Sequence, residues 1–146
     1  MDEIRQRMLA YMGQHITMTL ATALDGEAHA ATVFYANDGF DLYFISDVDT
    51  AHGRHMLANP RVFVTISQDY DDWQAIQGIQ LSGRAELLED ATRAGEVYGA
   101  KFPFIAGFPP AAITYWKIDA GWVRFTDNTQ GFAHKDEIAL ELEHDH

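Results

Sequence analysis

The sequence predicts a mainly β fold with a few short helices, in which six or seven antiparallel strands curl into a closed or partly closed barrel. Short strand-like runs follow one another from residue 16 to residue 68, several joined by turn signals such as Asp25-Gly26 and Asn37-Asp38-Gly39. A longer run near residues 74–88 contains Gly78 and Gly83, interruptions that suit a strand bending along a curved wall. Helical periodicity is confined to the ends and to one insertion, which favours a barrel over a layered α/β fold.

Each element has a local reason. Ile4, Met8, Leu9 and Met12 fall on one face of a helix over residues 2–13, within an N-terminal segment 1–14. Residues 16–24 are rich in β-formers and alternate, and Asp25-Gly26 turns them into a second strand over 28–36. The third strand, 40–46, is apolar on both faces, with Phe40, Leu42 and Phe44 against Tyr43 and Ile45, so both faces should be covered. Residues 50–58 form a short helix with Asp49 or Thr50 as its cap, and Asn59-Pro60 ends it because proline cannot continue the ladder. A fourth strand over 61–68 and the acidic loop 69–73 lead into the long fifth strand. Asp90 caps a helix running to Lys101, and a loop rich in Phe and Pro precedes a sixth strand at 112–118. Ala120-Gly121 is expected to turn the chain into a last strand at 122–126, and the acidic end 136–146 is expected to be solvated.

The composition bounds function. A chain of 146 residues with 47% hydrophobic and 22% charged residues suits one globular domain, 1–146. There is no cysteine, which excludes thiolate catalysis and zinc–thiolate sites. No apolar run is long enough for a spanning helix and the N-terminus lacks the pattern of a signal peptide, so a cytoplasmic location away from membranes is expected. The net charge of −12 repels phosphodiester backbones and argues against nucleic-acid partners. A small anionic ligand is still compatible if the few cations are gathered in one place.

The turn before the short helix gathers such groups. Ser46, Thr50, His52, Arg54 and His55 lie within ten residues, at and just before a helix N-terminus, and no Lys or Arg occurs between Arg7 and Arg54. Hydroxyls, imidazoles and a guanidinium around free helix N–H groups are the ingredients of a phosphate site. A capped, solvated helix whose polar face carries imidazoles is the plainer alternative, and His52 with His55 could in principle ligate a metal, although none is expected. No nucleophile–base pair stands out, so catalytic residues are unassigned.

From Thr17 to Leu88 the pattern resembles the pyridoxamine 5'-phosphate oxidase-like, FMN-binding split β-barrel family. The resemblance rests on residues 16–22 with Asp25-Gly26, on Tyr43-Phe-Ile-Ser46 followed by Thr50-Ala-His52 and Asn59-Pro-Arg-Val62, and on Gly78-Ile-Gln-Leu-Ser-Gly-Arg-Ala-Glu86. The ending, Trp116-Lys-Ile and then residues 124–132, is similar to a small bacterial subgroup of that family. The resemblance implies a homodimer holding two FMN molecules at its interface. It places Thr32, Val33 and Phe34 along the ring and ribityl chain, Ile45, Ser46 and Asp47 near the ribityl–phosphate region, and Thr50, His52 and Arg54 on the phosphate. Gln80 and Trp116 would complete the pocket from the partner. His52 stands where the family usually has a lysine. The acidic C-terminal region lacks the basic residues with which the true oxidases grip their substrate, so the vitamin B6 reaction itself is not expected. The implied function is a flavin oxidoreductase acting on a small organic molecule. A non-catalytic flavin- or haem-binding protein of the same fold is the alternative.

Overall fold

The computed structural model describes residues 2–141; the tail histidines His144 and His146 lie outside the described residues. Eight strands form one sheet. They are β1 (Thr17–Leu24), β2 (Glu27–Phe34), β3 (Ala36–Asp38), β4 (Asp41–Ile45), β5 (Arg61–Ile66), β6 (Gln77–Leu87), β7 (Tyr115–Asp127) and β8 (Lys135–Ala139). The order is β2-β1-β5-β6-β7-β4-β3, with β8 added on β7, and every pairing is antiparallel. The sheet curls into a half-barrel, so that β2 comes back into contact with β4. Three helices accompany it: α1 (Glu3–Gln14), α2 (Ala51–Ala58) and α3 (Thr92–Lys101). No helix among the described residues is long and apolar enough to cross a membrane.

Strand alternation builds the core. Met18 and Leu20 on β1, Val62, Val64 and Ile66 on β5, Ile79 and Leu81 on β6 and Val123 and Phe125 on β7 turn inward, where Met8 and Met12 of α1 join them. A second, smaller cluster lies on the other side of β3 and β4. There α3 packs Ala94 and Tyr98 against Ala36, Tyr43 and Tyr115. The central β4 is thus covered on both faces, as its sequence predicts.

Two expectations fail at the C-terminal end. Ala120 and Gly121 do not turn the chain; β7 runs unbroken through them. Ser82 pairs with Trp122 and Gly83 with Ala120, so Gly121 is absorbed as the extra residue of a bulge. The bulge is tightly packed, since a Cβ on Gly83 would lie 2.1 Å from the Asp119 carbonyl oxygen. The start of the acidic end, in turn, is a strand. Glu137 pairs with Arg124 at 2.6 Å, Asp136 meets Arg7 at 3.4 Å and Ile138 packs on the core, which together hold β8 on β7. Residues 74 and 75 belong to a 3₁₀ turn that Ile76 follows, so none of the three is in β6, and residues 112–114 precede β7.

Candidate functional site

The site is built around the start of α2. Thr50 is its cap: Oγ1 accepts from the Gly53 N–H at 3.0 Å. Ala51 and His52, in the first turn, have no intrahelical acceptor for their N–H groups. The preceding turn is tight, because the Thr50 N–H and hydroxyl both donate to the Asp47 carbonyl, at 3.3 and 2.9 Å. A Cβ on Gly53 would lie only 2.3 Å from that same carbonyl oxygen. Only glycine lets the helix start so close to the turn.

Ser46, at the end of β4, points into this cup. Its Oγ lies 3.0 Å from Thr50 Oγ1 and 2.7 Å from His52 Nε2. From the core, the Trp116 indole N–H donates to the Ser46 carbonyl oxygen at 2.9 Å and fixes the backbone behind the hydroxyl. Two more histidines join. The His29 ring, from β2, lies 5.9 Å from that of His52, nearly parallel, and 6.0 Å from that of His55, edge-on. His55 Nδ1 is in turn 3.0 Å from the Thr22 hydroxyl. Burial, and then the neighbouring His29 and His55, push the His52 imidazole below its ordinary pKa. His52 is therefore mostly neutral around pH 7. Among the described residues there is no group of three or more His, Cys, Asp or Glu placed to hold a metal ion.

Residues 45–47 connect the cup to an apolar trough of about 450 Å³. Val33, Phe34 and Ile45 line it from the strands, Asp47 from the turn after β4, and Tyr98, Phe104 and Phe108 from α3 and the loop after it. Phe34 is 45% exposed, its ring 5.3 Å from that of Phe102 and 6.5 Å from that of Phe104. One side of the site is a polar cradle and the other a wall for a flat apolar ring.

The structure thus brings together Val33, Phe34, Ile45, Ser46, Asp47, Thr50 and His52 of the residues predicted from sequence. Arg54 stands beside them, exposed, with Nη1 donating to the Asp49 carbonyl. Thr32 is exposed on the face of β2 opposite Val33. Gln80 lies on β6 away from the cup and accepts from Arg124 Nη1 at 3.3 Å. Trp116 is 1% exposed, a core residue that supports Ser46 from behind. Sequence reasoning missed His29, Thr22 and the aromatic residues after α3. Period-two alternation puts His29 on the same face of β2 as Val33, a signal that was there to be used.

Comparison with known proteins fits this geometry. The family model described as pyridoxamine 5'-phosphate oxidase matches residues 4–127. The chain belongs to that family. A UPF0306 protein of Photorhabdus laumondii is 32% identical over 130 residues, covering 86% of this chain and 88% of that one. Among solved structures, a haem-binding protein from Mycobacterium smegmatis superposes with a TM-score of 0.73 at 21% identity, covering 89% of this chain and 56% of the other. An FAD-binding protein from Mesorhizobium loti gives 0.69 at 20% identity, covering 86% and 94%. The half-barrel is the split barrel of this family.

Proposed function

We propose that the protein is an FMN-binding flavoprotein, working as a homodimer, that carries out an oxidoreductase reaction on a small organic substrate. The observation that carries this reading is the direct connection, through residues 45–47, of a hydroxyl–imidazole cup at a helix N-terminus to an aromatic trough. The residues present suit the cofactor. Ser46, Thr50, His52 and the open N–H groups of α2 would hold the phosphate, with His29 and His55 behind them. Val33, Phe34 and Ile45 would lie along the ring, and the aromatic loop after α3 would exclude water from it. FMN, when bound, supplies the electron or hydride transfer; the protein's part is placement and shielding. Dimerisation is supported by the uncovered outer side of the sheet, where Phe63 is 40% exposed beside small residues of β1 and β2.

The visible spectrum of the purified protein, followed by titration with FMN, tests the reading. Flavin bands or saturable FMN binding are expected, with loss of affinity in Thr50→Val. A Soret band would favour the haem-binding alternative, for which the histidine cluster offers ligands. A colourless protein indifferent to FMN would overturn the proposal. Turnover with NADH or NADPH then separates a catalyst from a flavin carrier.

A further inference from the structure

We infer that Lys101 is a modification site: its side-chain amine, half-buried at the end of α3, takes an acyl group from a small acyl phosphate. The chain has three lysines, Lys101, Lys117 and Lys135. Lys117 lies 3.1 Å from Asp119 and 3.6 Å from Asp41, and Lys135 is exposed to water. Lys101 differs from both. Its Nζ donates to the carbonyl oxygen of His15, the residue that ends α1. It stands 4.1 Å from the centre of the Tyr35 ring and 5.7 Å from that of Phe102. Tyr35 is fully buried, its hydroxyl already donating to the Met12 carbonyl. An ammonium in this place has exchanged much of its water for one carbonyl and a ring face. Burial, with no carboxylate acting against it, pushes the Lys101 amine down to about 8. A desolvated lysine amine of this kind is a nucleophile near neutral pH.

The amine has room to react. Lys101 lines a cavity of about 510 Å³ between α3, β3 and the end of α1. None of the residues lining it belongs to the trough or to the histidine cup. The acids on its wall, Asp38 and Glu96, lie 3.0 and 3.7 Å from Arg93, and the His15 ring is held by the Tyr11 carbonyl and Gln68. Arg93 brings a guanidinium to the same cavity, which favours a donor whose leaving group is phosphate over a neutral one. In the step, the nitrogen lone pair attacks the acyl carbon and a C–N bond forms. The C–O bond to phosphate breaks, phosphate leaves with the electron pair, and the proton lost from nitrogen goes to water. The amide product is uncharged and keeps an N–H to donate, so it suits a half-buried position better than the ammonium does.

The full chain, incubated with acetyl phosphate at about pH 7.5, is digested and each lysine is read by mass spectrometry. At that pH about a quarter of amines titrating near 8 are neutral, against about 0.1% of ordinary lysines. Lower basicity and narrower access offset part of this advantage. Lys101 is expected to react at least fivefold faster than Lys135 or Lys117, its rate levelling off above about pH 8 while that of Lys135 climbs toward about pH 10. The preference should vanish in concentrated guanidinium chloride. Arg93→Gln should slow Lys101 at least threefold and leave Lys135 unchanged. A Lys101 that reacts no faster than Lys135 in the folded chain would be only a cation closing α1, and would overturn the inference. So would a Lys101 rate still rising at about pH 10, or a preference that survives unfolding. An unchanged rate in Arg93→Gln would overturn acyl phosphate as the donor.

Discussion

Lowering the pH from about 8 to about 6.5 is expected to tighten FMN binding, with His52 carrying the effect. In the empty cup His52 is half-buried between two other imidazoles, and burial and then those neighbours hold it neutral. A phosphate against Ser46, Thr50 and His52 reverses the balance, because a nearby anion favours the imidazolium. Binding then takes up a proton. One linked proton changes affinity by at most about tenfold per pH unit, and because His52 starts below the usual value of about 6.5, roughly three- to tenfold is expected across the window. The phosphate, with a second pKa of about 6, stays mostly dianionic throughout. Quenching of flavin fluorescence at constant ionic strength measures the effect. His52→Gln should flatten the profile, and His52→Lys should bind tightly without a slope. Riboflavin, which lacks the phosphate, should show none. A flat profile in the wild type, or an equal slope with riboflavin or in His52→Gln, would refute the reasoning.

Other outcomes follow from the same structure. Gly53→Ala forces a Cβ to within 2.3 Å of the Asp47 carbonyl oxygen and should cost about 1–3 kcal/mol in thermal or chemical unfolding. Trp116→Phe removes the donor behind Ser46 and should lower both stability, by about 1–3 kcal/mol, and FMN affinity, although Trp116 itself is buried in the core. Arg7 bonds Asp127, 2% exposed, at 2.7 Å, so Arg7→Gln should cost about 2 kcal/mol, less than for a fully buried pair because Thr129 still bonds that carboxylate. Burial raises the Asp127 carboxyl, but hydrogen bonds from Thr129 and then Arg7 outweigh it and the net shift is downward. Its stabilisation is therefore complete above the unfolded value of about 3.9 and is lost as the pH falls through the lower folded one. Acid unfolding of Arg7→Gln should accordingly depend less on pH below about 4 than that of the wild type.

Much of the fold was legible because its signals are local. Alternation in residues 16–24, the Asp25-Gly26 turn and the two-faced apolar run of β4 each specify their own conformation, and the structure shows them. Gly83 was rightly read as a place where the long strand bends. Gly121 was misread for the complementary reason: a glycine that could make a turn was used as a bulge, a choice set by its partner strand β6 and not by its own neighbours. β8 was missed because its acidic residues look solvated until Arg124 and Arg7 are placed opposite them.

The candidate site divides in the same way. Thr50 as a helix cap, and a hydroxyl–imidazole cluster within ten residues, could be read from the chain because capping and short-range spacing are one-dimensional facts. His29 facing His52, Thr22 reaching His55, and the aromatic loop after α3 closing the trough could not. Each joins residues more than twenty positions apart, and only the curl and register of the sheet decide which of them meet.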